Sequence, residues 1–269
     1  MRRGWNKGVC IMYSIYGDDS SKNTIVAIPA LGERKEMYEP LAKLMPDYKW
    51  IVFDLPGSQQ QIVEDASIFT FCEYIKICLH DLKITKAHFI GNSLGAWIIQ
   101  AFAAQYVHYV HTLTLLDGGH YFLGARREHE EETLLRGVEN WEDIKKAIHD
   151  FVVSIPNLQA YSYDQFESYM LGNYVKLPDG YAHHFNEQHY NELAKELITT
   201  DFCLKGSSLP SLLMLAGGMN DDYSAEQATN YAENNQFVEI KTIENGFHYL
   251  PLTNTKEVSE SLTYFLINN

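Results

Sequence analysis

Residues 87–95 read Ala-His-Phe-Ile-Gly-Asn-Ser-Leu-Gly, and their last five residues, Gly91-Asn92-Ser93-Leu94-Gly95, form a G-x-S-x-G motif. The apolar run 87–91 predicts a short buried strand, and the Ala-, Ile- and Phe-rich stretch 94–106 predicts a helix. A serine on such a strand-to-helix turn projects its hydroxyl above the sheet edge. The glycines leave room in the crowded turn, and the helix start offers N–H groups to developing negative charge. This stretch therefore predicts a nucleophilic Ser93.

Strands and helices alternate on both sides of the motif. Apolar runs predict further strands at 9–16, 24–29, 50–55, 112–116, 212–216 and 237–243. Helical spacing of apolar residues predicts further helices at 37–45, 69–82, 225–234 and 256–266. This rhythm is typical of βαβ crossovers. The predicted fold class is α/β, with a mostly parallel central sheet flanked by helices.

The rhythm changes between residues 118 and 208. This stretch is acidic around 128–132, is rich in Tyr and Phe, and includes His183 and His184, which we expect to be exposed or cap-lining polar residues. Its pattern favours helices over a continuation of the sheet. We predict a core formed by residues 1–117 and 209–269, interrupted by a helical cap, or lid, at 118–208.

A serine hydroxyl needs a base to take its proton, and the chain has 11 histidines. His248 follows the predicted strand 237–243 and precedes the last helix. Because the carboxyl ends of parallel strands share one sheet edge, His248 is expected on the same edge as Ser93. His120, which follows another core strand, reaches that edge too and is the rival base.

A carboxylate is expected to hold the histidine in its working tautomer and to stabilise the imidazolium. Asp221 follows the predicted strand 212–216 and opens onto the site edge, so it is the first choice. Asp222 is the second choice, although it also suits a turn or a cap. Asp117, at the end of the preceding core strand, is the third possibility.

Ser93, Asp221 and His248 stand in the chain order of the α/β-hydrolase superfamily. The sequence resembles that superfamily, and in particular its smaller esterase-like members with a helical cap. The resemblance covers roughly residues 9–117 and 209–268 and implies a serine hydrolase with an oxyanion hole.

The loop after the first central strand usually reads His-Gly-x in that family, and Pro29-Ala30-Leu31-Gly32 stands in its place here. The match implies that the backbone N–H groups of Leu31 and Leu94 form the oxyanion hole. Ala30 departs from the usual Gly, but a backbone donor needs only its N–H.

Three further loops match the family. Asp54-Leu55-Pro56-Gly57 resembles its Asp-x-x-Gly turn, Gly217-Gly218-Met219-Asn220-Asp221 its acid loop, and Gly246-Phe247-His248 its histidine loop. Ser58-Gln59-Gln60 departs from the usual Gly-rich continuation, so a different local loop is expected there.

The resemblance implies acyl transfer through an acyl-Ser93 intermediate, without a metal or a cofactor. A carboxylesterase acting on a small ester is the first expectation, and amide, thioester, lactone or C–C bond hydrolysis are the alternatives. A ligand-binding sensor or regulatory protein that keeps the pocket is the alternative of a different class.

Charge narrows the possible partners. The chain has 269 residues with 21 Lys and Arg against 35 Asp and Glu, a formal net charge of −14. This excess argues against nucleic-acid and anionic-membrane partners. It favours neutral or cationic substrates over polyanionic ones. The aromatic residues of 118–208 could line an apolar pocket, so the expected substrate is a small, neutral and partly apolar acyl compound. The oligomeric state stays open. With four scattered cysteines and no secretory pattern, the expected thiols are free and the expected compartment is the cytoplasm.

Overall fold

The computed structural model describes residues 2–3, 12–125, 139–155, 160–218 and 222–269. Residues 9–11 of the predicted strand 9–16, the acidic run 128–132 and residues 219–221 of the predicted acid loop lie outside these ranges. Among the described residues, Cys72, Cys78 and Cys203 are buried free thiols, as expected. None of the described helices combines the length and apolar character needed to cross a bilayer.

The central sheet has eight strands. They are β1 (Arg2–Arg3), β2 (Met12–Gly17), β3 (Thr24–Ile28), β4 (Lys49–Phe53), β5 (Ala87–Asn92), β6 (Val110–Leu116), β9 (Ser211–Ala216) and β10 (Val238–Ile243). Their spatial order is β1-β2-β4-β3-β5-β6-β9-β10. Strand β2 runs antiparallel to both of its neighbours, β1 and β4. The other six strands, β4, β3, β5, β6, β9 and β10, are parallel to one another. The predicted mostly parallel α/β fold is confirmed.

Apolar side chains cover both faces of this sheet. All residues of β3, β5 and β9 are buried, as continuous apolar runs predict for strands covered on both sides. The core helices are α1 (Glu39–Leu44), α2 (Ile68–Asp81), α3 (Leu94–Tyr106), α7 (Asp222–Glu233), α8 (Leu250–Thr253) and α9 (Thr255–Asn268). One face packs against α2, α3 and α7, and the other against α1, α8 and α9.

The segment between β6 and β9 differs from its prediction in one respect. It contains the helices α4 (Trp141–Ser154), α5 (Ala160–Leu171) and α6 (Glu187–Thr199). It also contains a hairpin formed by β7 (Tyr174–Leu177) and β8 (Gly180–His183), which the helical prediction missed. We refer to the described residues 139–199 as the cap.

The short, partly buried strands and the contact with Glu139 explain why the sequence did not predict the hairpin. The strands of the hairpin have four residues each and are only partly buried, so they give no long alternating pattern. The hairpin is instead fixed by its surroundings, since Glu139 pairs with Tyr181 as an isolated bridge.

Candidate active site

Ser93 lies on a strained turn between β5 and α3. Its backbone has φ 52° and ψ −118°, a conformation that L residues rarely adopt. The Ser93 N–H donates to the Leu116 carbonyl at 2.9 Å, which ties the turn to the end of β6. The side chain is partly exposed. The turn therefore has the shape that the sequence predicts for a nucleophile.

Glycines make this turn possible by close approach. A Cβ on Gly91 would lie 2.2 Å from the Gly95 backbone, and one on Gly95 would lie 2.2 Å from the Ile28 carbonyl oxygen. A Cβ on Gly118 would lie 2.7 Å from the Ser93 Cα. The start of α3 is thus pressed against the end of β3, where the predicted oxyanion loop begins.

His248 is held by a carboxylate. Its Nδ1 lies 2.6 Å from Asp117 Oδ2, a short contact between an N–H donor and a carboxylate acceptor. The other oxygen, Oδ1, accepts from the Ala216 N–H at 2.9 Å. The Asp117 side chain is 11% exposed and that of His248 is 34% exposed. This bond leaves Nε2 of His248 as the ring nitrogen available to a hydroxyl.

The histidine loop is joined to the turn through a second contact. The Asn92 side-chain amide donates to the His248 carbonyl at 3.0 Å and to the Leu116 carbonyl at 2.8 Å. Because Asn92 directly precedes Ser93, one amide connects the loops of the serine and the histidine. Sequence reasoning gave no role to this residue.

The rival base His120 has a different environment. It is only 1% exposed, and its Nε2 lies 3.3 Å from the Ser224 hydroxyl. Burial lowers the pKa of His120 from 6.5 to about 4. The carboxylate contact belongs to His248, the first choice of the sequence.

The carboxylate at His248 differs from the first sequence expectation. The structure brings Asp117, the third possibility, to His248. Asp222 begins α7 with an exposed side chain, and Asp221 lies outside the described residues. Asp117 directly follows β6 and precedes Gly118 and Gly119, but Asp221 and Asp222 also follow a strand of this sheet, so the local pattern did not single out Asp117.

The predicted oxyanion donors lie on neighbouring segments. Leu94 is the first residue of α3, and the first N–H groups of a helix have no partner within it. A Cβ on the next residue, Gly95, would lie 2.8 Å from the Pro29 carbonyl oxygen, two residues before Leu31. Their role as an oxyanion hole stays a prediction.

The loop that contains Leu31 is anchored by buried polar groups. Lys35 Nζ lies 2.7 Å from Asp54 Oδ2, and both side chains are at most 3% exposed. The Lys35 N–H donates to Asp54 Oδ1 at 2.9 Å. The Asp-x-x-Gly turn identified by resemblance thus holds the end of the loop that begins at Pro29.

The departure at Ser58-Gln59-Gln60 has a structural counterpart. Gln59 and Gln60 both have a φ of 57°. The Gln60 N–H donates to the His184 carbonyl at 2.7 Å, and its side-chain amide donates to the His183 carbonyl at 2.6 Å. This loop therefore binds the cap, and His184 is buried rather than exposed. Burial lowers the pKa of His184 to about 3 and that of His183 to about 4.

Comparison with known protein families identifies the family of this chain. Residues 23–236 match the model of a family described as alpha/beta hydrolase fold. The chain belongs to the alpha/beta hydrolase family. Comparison of its sequence with curated proteins gave no significant match.

Solved structures with the alpha/beta hydrolase fold resemble the whole chain. An E-2-(acetamidomethylene)succinate hydrolase superposes with a TM-score of 0.74 at 15% identity, covering 98% of each chain. A thermophilic esterase from Thermogutta terrifontis gives 0.69 at 15% identity, covering 100% of this chain and 99% of the other. An N-acyl homoserine lactone degrading enzyme gives 0.68 at 19% identity, covering 98% and 100%. At these identities the likeness establishes the fold.

No cluster of His, Cys, Asp and Glu that could hold a metal ion occurs within the described ranges of this alpha/beta hydrolase. The loops at this sheet edge carry a hydroxyl, an imidazole and a carboxylate. Such a set of groups is suited to nucleophilic attack with proton transfer.

Proposed function

We propose that this protein is a serine hydrolase that cleaves a small carboxylic ester through an acyl-Ser93 intermediate. The observation that carries the proposal is the Asp117–His248 pair, joined through Asn92 to the strained turn of Ser93. The structurally similar proteins include esterases, which supports an ester as the substrate.

In the proposed reaction, Ser93 Oγ attacks the acyl carbon while His248 Nε2 takes its proton. The carbonyl oxygen becomes an oxyanion that the N–H groups of Leu31 and Leu94 stabilise. The bond to the alcohol then breaks, and His248 returns the proton to the leaving oxygen. Water repeats the sequence on the acyl group and frees Ser93.

Asp117 is proposed as the acid of this triad, in place of Asp221. Its two oxygens are fixed by the His248 ring and the Ala216 N–H. The bond to Nδ1 orients the ring and stabilises the imidazolium that forms after proton transfer.

A neutral, partly apolar acyl substrate is the proposed ligand. Aromatic rings border the histidine, since Phe247 and Tyr249 stack at 5.8 Å and contact Phe151 and Phe166 of the cap. The net charge of −14 disfavours polyanionic substrates.

A fluorophosphonate probe and an ester panel test the proposal. We expect the probe to label Ser93 in the folded wild type and to leave Ser93→Ala unlabelled. We expect the wild type to hydrolyse short-chain aryl esters and Ser93→Ala to lose this activity. Thioesters, amides and lactones are assayed in the same panel. A folded wild type that is not labelled would contradict the serine-hydrolase mechanism, and labelling without turnover would favour a sensor.

A further inference from the structure

Glu33 is a buried carboxylate two residues beyond Leu31. Only 5% of the residue is exposed. Its Oε2 accepts from the Tyr169 hydroxyl at 2.8 Å and from the Asn173 side-chain amide at 2.9 Å. The Tyr249 hydroxyl is a third hydrogen-bond partner. Burial raises the pKa of Glu33, and the bonds from Asn173, Tyr169 and Tyr249 oppose that rise.

The three donors come from two different parts of the molecule. Tyr169 lies in α5 and Asn173 just after it, so both belong to the cap. Tyr249 directly follows His248. One carboxylate therefore connects the loop of Leu31, the cap and the loop of the proposed base.

The neighbours of Glu33 reinforce the same link. His184 Nε2 lies 2.9 Å from the Gly32 carbonyl oxygen, so this ring nitrogen donates. Arg34 Nε donates to Asn173 Oδ1 at 2.8 Å, and its guanidinium donates to the Tyr169 carbonyl at 2.9 Å. The cap thus holds the loop on both sides of Glu33.

Glu33 is the last acceptor in a chain of two hydrogen bonds. The Arg34 N–H donates to the Tyr169 hydroxyl at 3.1 Å, and that hydroxyl donates onward to Glu33. A carboxylate ion only accepts hydrogen bonds, whereas an amide places an N–H₂ group at one of the two oxygen positions. Glu33→Gln therefore replaces one of the two acceptors by a donor.

We propose that Glu33 is a positioning residue. It links the position of the cap to the positions of the Leu31 N–H group and of the His248 ring. This inference rests on the proposed serine-hydrolase function. Since Leu31 and His248 would act on opposite sides of the same acyl carbon, a small displacement of either one lowers the rate. Glu33 itself need not touch the substrate.

The test compares Glu33→Gln with Glu39→Gln, the same change on the partly exposed face of α1. Active sites are first counted by fluorophosphonate titration, and kcat is then expressed per titrated site. We expect Glu33→Gln to lower kcat per site about 10- to 100-fold with KM changed less than about threefold. Glu39→Gln should match the wild type in both constants.

Tyr169→Phe removes one donor and leaves the carboxylate. We expect it to lower kcat per site in the same direction, and the double variant with Glu33→Gln to be no worse than Glu33→Gln alone, because both changes break one connection. Thermal unfolding of each variant records whether it folds.

The outcomes separate the two proposals. A wild type that the probe does not label overturns the serine-hydrolase function and the role of Glu33 with it. A labelled wild type with an unchanged kcat per site in Glu33→Gln overturns the role of Glu33 alone. Loss of titratable sites with normal kcat at those that remain also overturns it, because that result is the mark of a purely structural carboxylate.

Discussion

Asp117 reaches His248 because of the way β6 ends. Its φ of 45° turns the chain out of the strand, while its N–H donates to the Met214 carbonyl at 2.8 Å. The side chain then points to the loop after β10 instead of along the sheet. Burial to 11% exposure strengthens the electrostatic interaction with an imidazolium.

Replacing Asp117 by Asn should lower the esterase kcat by on the order of 10³- to 10⁴-fold, because an amide can stabilise the wrong tautomer of His248. The exposed Asp222→Asn is the matched control and should keep the wild-type rate. Asp221→Asn tests the first choice from the sequence. Steady-state kinetics on an aryl ester measures all three, and a severe loss in Asp221→Asn with an active Asp117→Asn would reverse the assignment.

Part of this site was predictable from residue patterns. The motif around Ser93 and the glycine before His248 are local signals, and the strand order brings both to one sheet edge. The choice among Asp117, Asp221 and Asp222 was not predictable, because all three follow parallel strands that end on that edge. The contact between Asp117 and His248 is visible only in the tertiary structure.

At the scale of elements, the strained turn between β5 and α3 depends on the loop after β6. Gly118 packs against the backbone of Ser93, and a Cβ there would lie 2.7 Å from both the Cα and the carbonyl oxygen of Ser93. Backbone atoms cannot yield as a flexible side chain can. The position of Ser93 is therefore set by a segment more than twenty residues away in the chain.

We expect Gly118→Ala to reduce the rate of Ser93 labelling by about tenfold or more, since displacement of a nucleophile by 1 Å can cost about 10² in rate. Gly206→Ala is the control, because its φ of 68° adds backbone strain while nothing lies within 4 Å. That variant should lose about 1–2 kcal/mol of stability and label normally. Probe kinetics and denaturant unfolding give the two readouts, and normal labelling of Gly118→Ala would argue against this dependence.

The hairpin of the cap illustrates the limit of pattern-based prediction. Long, strongly periodic elements such as α3 were predicted at their observed bounds. The strands β7 and β8 are short and half-buried, so tertiary contacts with Glu139 and the core decide their conformation.

At the scale of the whole molecule, buried neutral histidines connect stability to pH. Burial lowers the pKa of His88, His120 and His183 from 6.5 to about 4. The unfolded chain therefore binds more protons than the folded one between these values. The stability from each neutral histidine is present above pH 6.5 and is lost as the pH falls through about 4.

His88 tests this linkage far from the active site. Its Nδ1 lies 2.9 Å from the Thr112 hydroxyl, and its ring stacks on His111 at 4.6 Å. We expect His88→Asn to flatten the fall of the free energy of unfolding between pH 6.5 and 4 by up to about 1.4 kcal/mol per pH unit. Urea unfolding at several pH values measures the slope.

Exposed His80→Gln is the control for this measurement. The raised pKa of Glu33, caused by burial, contributes a slope of opposite sign in the wild type and in both variants. The comparison of variants therefore isolates the stacked pair of His88 and His111. An unchanged slope in His88→Asn would mean that folding does not shift the pKa of the His88 ring.

The sequence alone determined the α/β class, the family resemblance, most core strands and helices, and the turn at Ser93. These depend on apolar periodicity and local turn chemistry, which are readable within a few residues. Only the tertiary structure decided that Asp117 faces His248, that Glu33 joins the cap to two loops, and that the cap includes a hairpin. These depend on side chains that are distant in the chain and meet only when the sheet and the cap are assembled.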